Sequence, residues 1–96
     1  MASFIISLTY TAPIEQVDAL MKDHVAWLKA NHEDGHFFGW GRKVPREGGI
    51  ILATGESRDA IAALAARDPF VAGGVAEAEV IEWAPSFLDD SIVGLQ

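Results

Sequence analysis

Two spacings of apolar positions divide the chain. Phe4-Ile5-Ile6-Ser7-Leu8-Thr9-Tyr10 is rich in strand formers and alternates from Ile6 to Tyr10, which predicts a first strand. From Ile14 to Asn31 the period becomes helical. Val17, Met21, His24 and Leu28 share one face, flanked by Leu20 and Trp27, while Glu15, Asp18, Lys22 and Lys29 fall elsewhere. Thr11 can cap this helix, Pro13 suits its first turn, and Asp34-Gly35 stops it. A second strand is predicted from His36 to Lys43, a turn from Pro45 to Gly49, and a third strand from Gly49 to Glu56 with the run Ile50-Ile51-Leu52-Ala53. Ser57 can cap a second helix carrying Ile61, Leu64 and Ala65, and Asp68-Pro69 breaks it. Phe70 to Gly74 reads as one short helical turn, and Ala76 to Trp83 as the last strand, ended by Pro85.

The order β-α-β-β-α-β is that of an α+β, ferredoxin-like split sandwich. It assigns residues 1–85 to one domain and leaves 86–96 as a C-terminal tail able to dock on its own subunit or on a partner. Alternation places Ile5, Ile51, Ile81 and Trp83 on one side of the sheet, and Ile6, Leu8, Ile50, Leu52 and Val80 on the other. One side must meet the helices. The other is also apolar, which predicts a homodimer through that sheet face, or a cover made by the tail residues Phe87, Leu88, Ile92 and Val93.

Composition narrows the partners. A formal net charge of −7 without a basic stripe argues against nucleic acid and against an anionic membrane surface. With no cysteine, disulfides, cysteine-ligated metal and thiol chemistry are excluded. No apolar run is long enough to span a bilayer and no signal peptide is evident, so a cytoplasmic protein is expected.

His24 is the most informative residue, because it stands in an apolar helix stripe where Leu would be expected. A histidine there is commonly a hydrogen-bonded structural residue. It can also be a general base, since imidazole exchanges a proton near neutral pH and a carboxylate on one ring nitrogen orients the other. Asp68 is the candidate orienter, with a second reading as the cap of the helical turn opened by Pro69. His32 and His36 flank a helix end and a turn without fixed geometry, so no metal is assigned. No glycine-rich turn leads from a strand into a helix, and no Ser, Thr or Lys stands beside a base in a recognisable motif.

Three stretches carry a resemblance: His24-Val25-Ala26-Trp27-Leu28-Lys29 with the following Asp34-Gly35; Ile51-Leu52-Ala53; and Asp68-Pro69-Phe70-Val71-Ala72-Gly73-Gly74-Val75. Together they resemble the YCII-related domain family, which the notion of a dimeric α/β barrel also covers, as in muconolactone isomerase and small monooxygenases. The resemblance implies a bacterial ferredoxin-like homodimer with a cleft holding a catalytic His and Asp, matching His24 and Asp68. One departure stands out: a small residue followed by Gly-Pro is usual at the end of the second strand, and here it is Trp40-Gly41-Arg42. Trp40, Arg42 and Phe70 are the candidate substrate-binding residues. The function expected is general acid–base chemistry, of elimination or isomerisation type, on a small molecule and without a cofactor. The competing expectation is a non-catalytic ligand-binding or accessory module in which the His–Asp pair is structural.

Overall fold

The computed structural model describes residues 2–87. Its elements are β1 (Ala2–Tyr10), α1 (Ile14–Ala19), α2 (Met21–Glu33), β2 (Phe37–Arg42), β3 (Gly48–Gly55), α3 (Arg58–Ala65), α4 (Pro69–Ala72) and β4 (Ala76–Trp83). The strands form one antiparallel sheet in the order β2-β3-β1-β4. This is the expected α+β, ferredoxin-like arrangement: β1 and β2 run parallel with β3 inserted between them.

Residues directly opposite each other in neighbouring strands share a face. On the helix-covered face this gives three rows across the sheet. Glu82, Phe4, Ala53 and Phe37 make the first; Val80, Ile6, Ile51 and Trp40 the second; Ala78, Leu8, Gly49 and Arg42 the third. Phe4, Ile6, Leu8, Phe37, Ile51 and Ala53 are all buried there, packed with Leu28 of α2 and with Ile61 and Ala65 of α3. A second apolar cluster, of Val17, Phe70, Val75 and Ala76, lies under α1 and α4. α2 therefore spans two apolar groups, one around Leu28 and the other around Phe70.

The register reverses one expectation. Ile51 pairs with Ile6 and is 1% exposed, so it faces the helices, whereas Ile50 and Leu52 sit opposite Ser7 and Ile5 on the open face. A run of four apolar residues hides its own parity, and only the hydrogen-bond ladder fixes it. The open face consequently carries Ile5, Ile50, Leu52, Ile81 and Trp83, apolar as expected but with a different membership.

A second difference lies in the first helical segment. It is two helices and not one, because Leu20 leaves helical geometry (φ −104°, ψ 2°) and joins α1 to α2. Pro13 occupies the cap position of α1, where its carbonyl accepts from Gln16 and Val17, and no side chain caps the helix. Thr11 instead ties to the start of β4 through its backbone N–H and the Val75 carbonyl. Ser57 does cap α3, accepting from the Ala60 N–H at 3.1 Å. From residue 88 onward the expected docking of the tail lies outside the described residues; Phe87, the last of them, is exposed. Among the described residues no helix is long and apolar enough to cross a membrane.

Candidate active site

His24 is delivered by the helical stripe. It is buried on α2 together with Leu28 and Asn31, so the side chain points at the sheet and not at solvent. Asp68 comes from the segment between α3 and α4. Asp68 and Pro69 are the cap and first residue of α4, and the Asp68 carboxylate accepts from the Phe70 N–H at 2.9 Å. The same oxygen, Oδ1, also accepts from His24 Nδ1 at 2.7 Å. Capping and orienting thus converge on one atom, where two separate oxygens had been available. Asp68 is fully buried, and its Oδ2 has no hydrogen-bond partner among the described residues.

The next residue completes the clamp. The Phe70 ring stacks on the His24 imidazole, with centroids 3.8 Å apart and planes 9° from parallel, and Tyr10 meets Phe70 edge-on at 5.9 Å. Asp68-Pro69-Phe70 therefore fixes His24 twice, by a hydrogen bond in the ring plane and by a plate against one ring face. A carboxylate is an acceptor, so Nδ1 carries the proton in this pair and Nε2 is the nitrogen left with a free lone pair. Such a ring is suited to accept a proton at Nε2, and the resulting imidazolium would rest against a carboxylate.

His24 lines a cleft of about 170 Å³ whose walls include Tyr10, Met21, Trp40, Arg42 and Phe70, with Gly41, Gly48 and Gly49 at its sheet side. All four residues singled out from the sequence as lining a pocket, His24, Trp40, Arg42 and Phe70, meet at this one cavity, and Asp68 stands behind His24. Trp40 and Arg42 reach it because they occupy the helix-facing positions of β2, opposite Ile51 and Gly49. Gly48 has a close-approach role: a Cβ there would collide with the Leu8 carbonyl of the neighbouring strand.

Tyr10 and Met21 are lining residues that the sequence reading did not single out. The signal for Tyr10 was present, since it follows Phe4, Ile6 and Leu8 on the helix-facing parity. At the rim, Arg46 donates to Asp18 at 2.6 Å and lies 5.9 Å from the Tyr10 ring centroid. The Asp18 carboxylate raises the Arg46 pKa further above its ordinary value. His32 is placed differently from His24. Its Nδ1 bonds the Phe37 carbonyl at 2.9 Å, and among the described residues no group of three His, Asp or Glu side chains could hold a metal ion.

Comparison with known proteins adds the family dimension. The model of the YCII-related domain family matches residues 2–84. No curated protein matches the sequence. Among solved structures, the chain is similar to 5-chloro-2-hydroxyhydroquinone dehydrochlorinase from Burkholderia phenoliruptrix AC1100, solved in complex with 2,5-dihydroxybenzoquinone. The TM-score is 0.72 and the identity 19%, over 85% of this chain and 93% of that one. It is also similar to At3g17210 from Arabidopsis thaliana, with a TM-score of 0.49 and 18% identity over 93% of this chain and 99% of that one. The first of these likenesses is one of fold.

Proposed function

The chain belongs to the YCII-related domain family, and we propose that it is a small-molecule enzyme in which His24 moves a proton and Asp68 orients it. The reaction is of elimination or isomerisation type, both of which begin by taking a proton from carbon or oxygen. The observation that carries this reading is the 2.7 Å bond between a fully buried carboxylate and a histidine on a cleft wall. A histidine needed only for packing gains nothing from lining an open cavity. A positioned base needs both a fixed tautomer and a path for its substrate. The dehydrochlorinase that shares the fold removes hydrogen chloride, a reaction class that a positioned base serves.

The same reading includes a homodimer, with the open sheet faces of two copies packed together. Its support is the apolar membership of that face, Ile5, Ile50, Leu52, Ile81 and Trp83, which leaves a contiguous apolar surface when the chain stands alone.

The test is turnover. Wild type and His24→Gln are incubated in D2O with a panel of small carbonyl, phenolic and chlorinated ring compounds, followed by NMR for proton exchange and by halide release. Wild type is expected to catalyse at least one such step, and His24→Gln to lose it while keeping its circular dichroism spectrum. Equal rates in the two proteins would defeat the catalytic role of His24. A variant that only melts earlier would make the pair a structural hydrogen bond.

A further inference from the structure

Among the described residues Arg42 is the one arginine or lysine in the lining of the cleft, and the proton transfer proposed above makes no use of it. Two cations close to it in sequence have partners: Arg46 donates to Asp18, and Lys43 to the Thr9 hydroxyl at 3.3 Å. Among the described residues no ion pair engages Arg42. This holds in a chain with twice as many acidic as basic side chains, 14 against 7, so a partner would have been easy to supply. Among the described residues the cleft has no acidic residue in its lining. An exposed guanidinium at the wall of a cleft that has no carboxylate among the described residues is an anion-binding feature, because its donors fit a planar oxyanion.

Size and wall chemistry define the rest of the ligand. An apolar cavity of about 150 Å³ admits benzene, so an open cleft of about 170 Å³ has room for a single ring with few substituents. The walls are aromatic on two sides: Trp40 from β2, and the imidazole of His24 backed by Phe70. Trp40 and Arg42 stand two residues apart on one face of β2, so a ring lying against Trp40 would have its substituent within reach of the guanidinium.

We propose that Arg42 is the anion anchor of the cleft, and that the ligand is a one-ring organic anion, a carboxylate or a phenolate, held with its charged end at Arg42 and its ring between Trp40 and His24. As a statement about substrate this rests on the acid–base reading above; as a statement about binding it stands without turnover. The anchor would also fix which ring atom faces Nε2, and so would contribute specificity as well as affinity.

The experiment titrates benzoate and its neutral analogue benzamide into wild type, Arg42→Gln and His24→Gln by calorimetry. Circular dichroism checks that each variant is folded. Wild type is expected to prefer benzoate by up to roughly fivefold, the upper range for a solvent-accessible ion pair. Arg42→Gln should erase that preference while benzamide affinity stays within about twofold. His24→Gln should keep the preference. Raising salt from about 50 to about 500 mM should weaken benzoate binding and leave benzamide unchanged. Equal affinity of the two probes for wild type, a preference that survives in Arg42→Gln, or no binding of either probe would each overturn the proposal. Loss of turnover without loss of the benzoate preference, or the reverse, separates this proposal from the catalytic one.

Discussion

The two ends of the helix-covered sheet face are built from the same strands and differ in what stands between them. At one end, Phe4 lies across from Ala53, and Ala53 from Phe37, with Ile61 and Ala65 closing over them from α3. At the other, Leu8 and Arg42 flank Gly49, which brings no side chain to the row. α3 closes the first end with aliphatic side chains, whereas α2 presents His24 to the second. The difference shows how a cleft arises in so small a layer. β3 omits a side chain at Gly49, and the helix above supplies a polar one in His24, so the space left is lined and not filled. The cost of that polar residue is offset by a buried carboxylate placed at a helix cap, a position where an acceptor was needed anyway.

The comparison can be broken most sharply at the packed end. Phe4→Ala deletes a fully buried ring from the centre of the sheet and should lower unfolding free energy by about 3–5 kcal/mol, read by urea denaturation. Benzoate affinity measured on the folded protein should hardly change. A loss below about 1 kcal/mol would mean that this end is not the closed core described. Asp68→Ala acts at the other end and should cost about 2–3 kcal/mol, since it removes a cap and strands the His24 and Phe70 donors in a buried place. Asp68→Asn separates the two roles. It retains an acceptor for the Phe70 N–H but sets an amide NH2 in a buried place where Oδ2 had no partner, so it should destabilise less than Asp68→Ala. It withdraws the negative charge behind the imidazole, so turnover should fall by about 10²–10⁴-fold. Turnover that survives in Asp68→Asn would reduce Asp68 to a cap.

How much of this was legible in the sequence differs between the same two ends. The alternation of Phe4, Ile6 and Leu8 and the helical stripe through His24 and Leu28 carry enough period to fix both elements and their facing sides. β3 does not: Ile50-Ile51-Leu52-Ala53 is apolar on both parities, and its pairing with β1 decides that Ile51 and Ala53 face inward. The break at Leu20 is equally silent, because Leu and its neighbours Ala19 and Met21 favour helix, and local propensity gives way to the geometry of joining β1 to α2. For the site, the residue types were readable but their convergence was not. A capping Asp at a helix start is common, and nothing local in Asp68-Pro69 places it against a residue 44 positions earlier. That information lies in the packing of α4 beside α2, and the family resemblance supplied it as an expectation.

The open face offers a third region for comparison, and a smaller effect. Ile81 is 41% exposed in the single chain and pairs with Ile5 at the middle of that face. If two copies bury this surface, Ile81→Glu places an unpaired charge in it and should weaken association tenfold or more, about 1.4 kcal/mol or greater. Light scattering across a micromolar dilution series is the measurement. His24, Trp40 and Arg42 belong to the helix-covered side of the sheet, so benzoate binding per folded chain should be retained. Wild type that scatters as a monomer throughout would remove the dimer from the proposed function.

The smallest expected change in stability concerns Trp40, and it is the most local test of the cleft. The three tryptophans sample three regions. Trp27 packs edge-on against Phe37 with ring centroids 5.1 Å apart, Trp83 faces outward on the open sheet, and Trp40 lines the cleft while 40% exposed. Because Trp40 is substantially exposed and Phe keeps a ring in its place, Trp40→Phe should shift unfolding free energy by no more than about 1 kcal/mol. Its effect on the ligand signal should be large by comparison. A ring anion held at Arg42 would lie against Trp40, so benzoate should change the tryptophan emission of wild type, and most of that change should vanish in Trp40→Phe. A residue of signal would remain from Trp27, whose ring centroid is 6.0 Å from that of His24. Trp83, on the other side of the sheet, should not respond. An undiminished benzoate response in Trp40→Phe would move the ligand away from β2, and with it the contact that makes Arg42 the anchor.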